Sequence, residues 1–572
     1  MPVEMNIMIG GEAGQGVQSV GFLLCKALAR GGYHIFADQD YESRIRGGRS
    51  FFRARIKDSP VYAVTELIDM LLALNKETIG LHIKELTPKG IVIYDGERIK
   101  LDIADGKLFS IPLEKLAEQA GGKIMSNTVA FGAALGLIKY DFEILAKLLR
   151  EFFGRKGEIA ESNVKAARAG YDYAQNEFKG DFPRRLSPVG AGKRLLLSGT
   201  DAVSLGALAA GCKFVAAYPM TPTTPILEYM ASKSQDFNVA VIHAEDEIAA
   251  MNMAVGAGYA GVRAMTATSG SGFCLMVEGL GLAGITETPV VVVEGQRPGP
   301  AVGLPTRTEQ GDLEFIIHAH HGEFPRSVLA PATIEDCFWL TSKAFNLAEK
   351  YQTPAIVVID HHLATAYNTV EIPDISKITI ERGDIFTNAA GDPAQYKRHL
   401  VNESGISPRA LPGLGKALAV TDADEHDDEG HLTESAEHRS QQVAKRLRKM
   451  NGLRTEIAPP RQYGPNKAKT TLIGWGSSYG ALCEVVDILH KDKIDVNLIH
   501  FHEIWPFPAE AATEALAGAR KVYDVESNAT AQLAHLLRAE TSRKVDGVIL
   551  RFDGRPITPA FIIDWMRKEG YV

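Results

Sequence analysis

The sequence has few of the residues that build disulfide frameworks and metal clusters. Its 572 residues include five cysteines, which are Cys25, Cys212, Cys274, Cys337 and Cys483. None of them forms a Cys-x-x-Cys pair, so the ligand runs typical of zinc ribbons and iron–sulfur clusters are missing. We therefore expect each cysteine to be a small buried apolar residue, and we predict no metal site in this chain.

Long apolar runs and an excess of positive charge are also missing. No segment approaches the roughly 18 uninterrupted apolar residues of a transmembrane helix. The chain has 62 basic and 70 acidic residues, and its net charge of −8 argues against a general nucleic-acid binder. The start has an acidic residue, Glu4, where a signal peptide would be basic, and lacks an export-type apolar core. We expect a cytoplasmic protein that binds neither membranes nor nucleic acids.

The composition is that of a folded multidomain α/β enzyme. Hydrophobic residues make up 45% of the chain, and 54 residues are glycine. Short apolar runs alternate with helical patterns, which predicts mainly parallel sheets with flanking helices. The predicted divisions are an α/β domain, a linker rich in Pro, Gly and charge, a second α/β domain, an irregular charged connector and a third α/β unit, at residues 1–178, 179–194, 195–375, 376–465 and 466–572.

Two polar segments are not predicted to be sites. Within the connector, "TDADEHDDEGHLTESAEHRSQQVAKRLRKM" begins acidic and becomes a basic helical pattern, which is typical of a solvated segment. His318, His320 and His321 have no carboxylate or cysteine partner at a metal-binding spacing. We expect a structural or surface role for these histidines.

The stretch "AAYPMTPTTP", residues 216–225, is the first candidate site. Proline at every third position matches the polyproline II repeat of a rigid linker, but here an apolar strand precedes it and a helical pattern follows. Thr224 as N-cap and Pro225 as first helical residue would start that helix. The stretch is therefore predicted to be a stiff turn at the carboxyl end of a strand, where such sheets bind ligands, with the hydroxyls of Thr221 and Thr223 toward the ligand.

The second candidate is a pair of strand-to-helix junctions. In "HAEDEIAAMNMAVGAGYAG", the acids Glu245, Asp246 and Glu247 stand where an Ala/Gly-rich helix begins. Acids in a first turn complement the helix dipole, and a carboxylate there is equally suited to be the buried acid that a thiamine cofactor needs, so both interpretations stay open. The second junction, "TATSGSG", contains Ser269 and Gly270 in a glycine-rich turn suited to an anion or to close ligand approach.

An arginine and a glycine loop complete the candidates. Arg307 follows a run crowded with Gly and Pro, so its guanidinium is placed either to bind a carboxylate or as a surface residue of a turn. The N-terminal "IMIGGEAGQGVQSVG" includes Gly14 and Gly16 before a helical pattern. Its spacing is not that of a dinucleotide fingerprint, but it suits a phosphate at a helix N-terminus. Arg44, Arg46 and Arg49 in the next segment either face phosphates or lie in a solvated turn.

These motifs together resemble the 2-oxoacid:ferredoxin oxidoreductase family. "YPMTPTTP" is similar to that family's YPxTPxS/T motif, and "EDEIAAMNMAVGAGYAG", "TATSGSG" and "GLPTRTEQGDL" follow in the family's order. "GGEAGQGVQSVG" and "RIRGGRSFFRARI" resemble its γ domain. The resemblance covers nearly the whole chain. It implies a γ domain fused in front of an α subunit, with a pyrimidine-binding thiamine-diphosphate domain and a transketolase C-terminal-like domain.

The resemblance implies that two chains share thiamine diphosphate. The α subunit holds the pyrimidine side, while a β subunit holds the diphosphate, its Mg²⁺ and a [4Fe-4S] cluster. This sequence fits that division, because it lacks both a GDG motif with a downstream Asn pair and any cysteine cluster. The resemblance thus implies electron transfer through the β subunit to ferredoxin, an (αβ)₂ heterotetramer, and no activity of this chain alone.

The resemblance also assigns roles by position. Glu247 corresponds to the acid that hydrogen-bonds the aminopyrimidine N1′, with Glu245 as the alternative. Thr221 and Arg307 correspond to the residues that bind the carboxylate and oxo group of the substrate. The remaining assignments are Pro219, Thr221, Ser269 and Gly270 to the cofactor pocket, and Gly14, Gly16 and Arg46 to coenzyme A.

The implied reaction converts 2-oxoglutarate, coenzyme A and oxidised ferredoxin reversibly to succinyl-CoA, CO₂ and reduced ferredoxin. A fused γα chain resembles the 2-oxoglutarate enzymes most, and pyruvate and branched 2-oxoacids remain open. Three other classes also remain open: an NAD-dependent dehydrogenase, a non-oxidative thiamine decarboxylase, and a non-catalytic partner subunit.

Overall fold

The computed structural model describes residues 3–43, 47–101, 107–154, 157–180, 182–190, 193–387 and 391–571. The chain divides into two compact units. The first consists of Met1–Leu197, Thr365–Ile372 and Thr558–Phe561, and the second of Ser198–Ala364, Pro373–Ile557 and Ile562–Val572. Among the described residues, no helix combines the length and apolar character needed to cross a membrane.

The strands of the described residues are numbered β1 to β20 along the chain. They are Glu4–Glu12, His34–Tyr41, Arg49–Lys57, Ile68–Ala73, Leu86–Tyr94, Leu108–Ser110, Arg194–Ser198, Phe214–Ala217, Ala240–His243, Ala264–Thr268, Val290–Gln296, Ser327–Leu329, Pro354–Asp360, Tyr367–Glu371, Arg461–Tyr463, Thr470–Trp475, Val496–Phe501, Glu503–Trp505, Lys521–Glu526 and Gly547–Leu550.

The helices are numbered α1 to α19 in the same way. They are Val17–Arg30, Lys76–His82, Leu113–Ala120, Ser126–Leu137, Phe142–Phe152, Gly157–Glu177, Gly199–Ala209, Thr224–Ser232, Ser234–Phe237, Glu247–Tyr259, Gly270–Ile285, Leu313–His318, Ile334–Tyr351, His361–Thr365, Ala436–Glu456, Tyr479–Lys491, Ala509–Leu516, Gln532–Thr541 and Pro559–Lys568.

The first unit is built on an eight-stranded sheet in the order β6-β5-β4-β1-β3-β2-β14-β7. β1, β4, β5 and β6 pair in parallel, whereas β3 pairs antiparallel with both β1 and β2, so this sheet is mixed. After β1 the chain passes through Gly14 and Gly16, at φ 92° and 75°, and α1 begins at the next residue. The predicted strand–loop–helix arrangement of the glycine loop is therefore confirmed.

The second unit contains a seven-stranded sheet in the order β18-β12-β13-β11-β10-β8-β9. The strands predicted from "KFVAAYP", "VAVIHAE", "VRAMTATS", "PVVVVEG" and "PAIVVID" are β8, β9, β10, β11 and β13, and they pair in parallel as predicted. The expected burial on both faces is wrong for β9, because this strand lies at the edge of the sheet and exposes most of its residues. The predicted α/β class with mainly parallel sheets is confirmed.

A five-stranded sheet, in the order β15-β17-β16-β19-β20, forms the last part of the second unit. Only its edge strand β15 is antiparallel to its neighbour. One hydrophobic core joins this sheet to the seven-stranded one. Val292 and Val358 of the larger sheet belong to the same buried cluster as Trp475 and Val522 of the smaller one. The two sheets therefore share one hydrophobic core within the second unit.

The connector is more ordered than its composition predicts. One face of the basic helix α15 is buried, and Lys445 Nζ and Lys449 Nζ lie 2.6 Å and 2.5 Å from the two carboxylate oxygens of Glu287. His399 Nδ1 lies 2.9 Å from the same carboxylate. Burial alone would raise the pKa of Glu287, but the two ammonium groups hold it well below the usual range. The expectation of a solvated segment is wrong for this face, because the lysines pair with an acid distant in sequence.

Candidate active site

The turn after β8 is folded around one carbonyl oxygen. The amides of Thr223 and Thr224 donate to Met220 O at 2.7 and 3.0 Å, and the Thr223 hydroxyl donates to it at 2.9 Å. The helix begins at Thr224 with Thr223 as N-cap, so the predicted cap was wrong by one residue, and Pro225 is the second helical residue. Thr223 is buried and its hydroxyl is used by the turn. Of the two hydroxyls predicted to face a ligand, only that of half-buried Thr221 remains available.

Arg297 was missed by the sequence interpretation, yet it contacts this turn directly. Its Nη1 donates to the carbonyl oxygen of Thr221 at 2.9 Å, and the residue is 9% exposed. Burial lowers its pKa, but an arginine stays protonated, and within the described residues it has no carboxylate partner. Because Arg297 follows β11 directly, its position at the carboxyl edge of a parallel sheet was the signal that could have identified it.

Arg307 lies in the same region as Arg297, because the charges of both act on His361. Burial, reinforced by the charges of His362, Arg307 and Arg297, lowers the pKa of His361 to about 3, so this imidazole is neutral. Arg307 is half-buried, and its amide donates to Leu304 O at 3.1 Å. The structure thus brings the predicted Arg307 and the unpredicted Arg297 to the same edge of the sheet. Two guanidinium groups beside a neutral imidazole are suited to a carboxylate ligand.

The three acids at the start of α10 have three different environments. Glu245 is exposed. Asp246 is the N-cap, and its Oδ1 accepts the Ala249 amide at 2.7 Å. Glu247 is 3% exposed, and its Oε1 has no hydrogen-bond partner among the described residues. Asp246 therefore accounts for the capping role, which leaves Glu247 as the buried acid whose function the fold does not explain.

Polar atoms without partners cluster around Glu247. A Cβ on Gly272 would lie 2.5 Å from Glu247 Oε1 and 2.0 Å from Thr268 Oγ1, so these two atoms are close together. The hydroxyls of Thr268 and Ser269 are also buried without hydrogen-bond partners in the described part of the chain. Each such buried group costs about 1–3 kcal/mol, which a bound polar ligand would recover. A carboxylate oxygen and a hydroxyl at one place, with a second unpartnered hydroxyl on the next residue, suit the nitrogen-rich edge of an aminopyrimidine ring.

A second group of acids lies behind the glycine turn. The carboxyl of Asp312 lies against Gly270, because a Cβ on that glycine would come within 2.3 Å of Asp312 Oδ2. Burial and the neighbouring Asp312 hold the pKa of Glu294 well above its usual range. Burial and Asp312 also raise the pKa of Glu309 to about 7. These acids therefore keep protons at pH values where ordinary glutamates have lost them.

The other predicted residues lie in turns of the second unit, in the first unit, or outside the described chain. Pro219 is half-buried in the turn after β8, and Gly270 is the first residue of α11. Gly14 and Gly16 belong to the first unit, where the Asn127 side-chain amide donates to the Gln15 carbonyl between them. Arg46, also predicted to contact coenzyme A, lies outside the described residues.

Three family models match successive parts of the chain. Residues 6–173 match the model described as pyruvate ferredoxin/flavodoxin oxidoreductase. Residues 205–445 match the thiamine-diphosphate-binding model of pyruvate flavodoxin/ferredoxin oxidoreductase, and residues 468–562 match pyruvate:ferredoxin oxidoreductase core domain II. The buried acid and the arginines described above all lie within the middle match.

Similar proteins cover almost the full length. The 2-oxoacid:ferredoxin oxidoreductase subunit alpha of Sulfolobus sp is 33% identical, over 97% of this chain and 95% of the relative. The 2-oxoglutarate oxidoreductase subunit KorA of Mycobacterium tuberculosis is 31% identical, over 93% and 87%. Among solved structures, 2-oxoglutarate:ferredoxin oxidoreductase from Magnetococcus marinus, with 2-oxoglutarate, coenzyme A and succinyl-CoA bound, is 33% identical. The alignment covers 99% of each chain with a TM-score of 0.92.

Proposed function

This chain belongs to the 2-oxoacid:ferredoxin oxidoreductase family, as an alpha subunit, and on that premise we propose that its substrate is 2-oxoglutarate. The proposed reaction joins 2-oxoglutarate and coenzyme A to give succinyl-CoA and CO₂, with two electrons passing to ferredoxin. The substrate proposal is supported by the similarity to the 2-oxoglutarate enzymes of two bacteria.

The observation that carries the proposal is the unpartnered carboxylate oxygen of Glu247. It lies with the hydroxyls of Thr268 and Ser269 inside the domain matched by the thiamine-diphosphate-binding model, so the residues present fit the pyrimidine side of that cofactor. Glu247 would hydrogen-bond the ring nitrogen, and Pro219 and Gly270 would border the same pocket. When bound, thiamine diphosphate supplies the nucleophilic carbon and the electron sink for decarboxylation of a 2-oxoacid.

The substrate carboxylate is assigned to the positive edge beside Thr221. The Thr221 hydroxyl would donate to the substrate, and Arg307 and Arg297 would neutralise its charge. Arg297 is added to the two sequence-based assignments because its buried guanidinium has no carboxylate partner within the described residues. His361 contributes no competing charge, since its imidazole is neutral. A substrate with two carboxylates gains more from two guanidinium groups than pyruvate does.

The remaining parts of the reaction are assigned to a partner and to the first unit. A β subunit would hold the diphosphate, Mg²⁺ and a [4Fe-4S] cluster, and would pass electrons to ferredoxin within an (αβ)₂ assembly. The five cysteines of this chain support that division, because they are spread singly and four of them are buried. The loop of Gly14 and Gly16 at the start of α1 is the proposed coenzyme A contact, together with Arg46.

The test is co-expression with a β chain that carries a GDG motif and cysteine clusters. The purified complex should reduce ferredoxin only when both coenzyme A and a 2-oxoacid are present, with 2-oxoglutarate the best substrate by kcat/KM. The chain alone serves as the control and should be inactive. A preference for pyruvate or a branched 2-oxoacid would contradict the substrate proposal. Turnover by the chain alone, or NADH formation, would contradict the division of the site between two subunits.

A further inference from the structure

The loop that carries Arg307 is fastened to the five-stranded sheet by Gln310. The backbone N–H of Gln310 donates to Ser527 O at 2.6 Å, and the backbone N–H of Ser527 donates to the side-chain Oε1 of Gln310 at 3.1 Å. Gln310 Nε2 donates to Trp475 O at 3.0 Å, and Asn528 Nδ2 donates to Gln310 O at 3.1 Å. Both the main chain and the side chain of one buried glutamine are thus bound by the last residue of β16 and by the two residues that follow β19.

The residues on either side of Gln310 contact segments that follow strands of the same sheet, namely the start of α18 after β19 and the chain after β20. Gln532 Nε2 donates to Gly311 O at 2.7 Å, and Gln532 Oε1 accepts the Glu314 amide at 3.0 Å. Gly554, at φ 75°, lies against the arginine itself, because a Cβ there would come within 3.0 Å of Arg307 Cβ. The loop therefore follows the surface of the five-stranded sheet from Arg307 to Glu314.

Glu526 holds the residues that bind Gln310 in place by hydrogen bonds. This fully buried carboxylate accepts hydrogen bonds from Trp475 Nε1 at 2.8 Å, Asn528 Nδ2 at 2.7 Å and the Leu533 amide at 2.8 Å. Buried networks in which each member is bonded are rigid, so the surface that receives the loop has one shape. Because Gln310 bonds mainly to backbone atoms, it recognises that shape rather than particular side chains.

We infer that Gln310 is a positioning residue for substrate binding, and that the five-stranded sheet is the template on which it sets the Arg307 loop. The inference rests on the proposed function, because it concerns the arginine assigned to the substrate carboxylate. At its other end the loop is tied to β11, where the Asp312 amide donates to Gln296 Oε1 at 3.0 Å, next to Arg297. Gln310 would thereby fix the distance between the two guanidinium groups.

Limited trypsin digestion of the purified αβ complex tests the fastening without reference to activity. Cleavage after Arg307, followed by mass spectrometry, should be about tenfold faster in Gln310→Ala than in the wild type, the change expected for one or two lost buried hydrogen bonds. Gln462→Ala is the matched control, because Gln462 is an exposed glutamine in β15 of the same sheet and donates to the carbonyl oxygen of Pro465 at 2.9 Å. This control should be cut at the wild-type rate.

Kinetics then test the positioning role. Gln310→Ala should raise the KM for the 2-oxoacid about tenfold and leave the KM for coenzyme A and kcat nearly unchanged. A purely structural role would lower the active fraction, and hence kcat, without moving the substrate KM. Gln310→Glu keeps the acceptor for Ser527 but places a carboxylate oxygen against Trp475 O, so it should raise this KM at least as much as Gln310→Ala. If Gln310→Ala fails to fold, Gly554→Ala displaces Arg307 from the opposite side and should raise the same KM.

The outcomes separate this inference from the proposed function. Unchanged cleavage after Arg307 would overturn the fastening. Faster cleavage with an unchanged substrate KM would overturn the positioning role. If the wild-type complex turns over no 2-oxoacid, the proposed function fails, and the cleavage rates alone still decide whether Gln310 holds the loop.

Discussion

Replacing Glu247 by Gln should abolish turnover and at the same time stabilise the second unit. The carboxylate is 3% exposed, and its Oε1 lacks a hydrogen-bond donor among the described residues. A glutamine of the same shape is uncharged and has an Nε2 donor. Burying a neutral amide costs less than burying a charged carboxylate oxygen that lacks a donor. The substitution thus removes a buried charge that the fold leaves without a donor.

The magnitude follows from the cost of the buried atoms. An unsatisfied buried polar group costs about 1–3 kcal/mol and more when it is charged, so replacing the carboxylate by a neutral amide should stabilise the unit by about 1–2 kcal/mol. The expected activity change has the opposite sign. A hydrogen bond to a charged group is worth about 1.5–3 kcal/mol, which sets a loss of about tenfold to a hundredfold as the minimum for turnover. The change in stability and the change in turnover therefore test the role of Glu247 independently.

Urea unfolding of the purified chain measures the stability change, and ferredoxin reduction by the αβ complex measures turnover. Glu245→Gln is the control, because Glu245 is an exposed acid two residues away and should change neither quantity. The reasoning would be refuted by a variant that is less stable than the wild type and still active, since Glu247 would then be a structural acid with a partner. Loss of activity together with loss of the β subunit would also count against the assignment.

Three further predictions concern other residues of the second unit. Arg297→Met should lower kcat/KM for the 2-oxoacid by about tenfold or more, and Arg297→Lys should recover part of it, because the charge returns without the guanidinium geometry; equal activity of the Met variant would exclude Arg297 from the site. The pKa of Glu309 is raised from 4.5 to about 7, so its protonated form favours the folded state, and this contribution is lost as the pH rises through about 7. Urea unfolding should therefore show that Glu309→Gln flattens the decline in stability between pH 4.5 and about 7, and an unchanged profile would contradict this. Lys449→Met should destabilise the unit by about 2 kcal/mol in the same assay without changing the substrate KM. The loss is less than the ~3–5 kcal/mol for a buried pair broken outright, because Lys445 still faces Glu287. A stabilised variant would show that the pairing is unfavourable.

The parallel strands of the second unit were predictable because each one is marked by its own short segment of sequence. Runs of Val, Ala and Ile bounded by turn residues specify buried parallel strands, and all five predicted strands are present. The edge position of β9 is set by the order of strands in the sheet, which no single run encodes. The helix start was missed by one residue because the Thr223 hydroxyl bonds back to Met220 rather than forward into the helix.

The candidate site was predictable where a motif marks a strand end, and not where the chemistry depends on distant partners. Local sequence could not separate Glu247 from Glu245 and Asp246, since only tertiary burial distinguishes the three. Arg297 was not predicted because the run of Gly and Pro that marks Arg307 comes after it, and its contact with Thr221 exists only in the folded chain. The buried lysines of α15 read as a solvated helix because their partner, Glu287, is 158 positions from Lys445.

The ion pairs of α15 have a practical consequence for anyone who wishes to isolate the thiamine-type domain. A shortened protein that stops at residue 364 would keep Glu287 but lose Lys445, Lys449 and His399. It would retain the buried carboxylate of Glu287 without the cations that neutralise it, together with the surface that the connector covers. Such a fragment should aggregate or remain unfolded, so the charged segment must be carried along whenever this half of the molecule is expressed by itself.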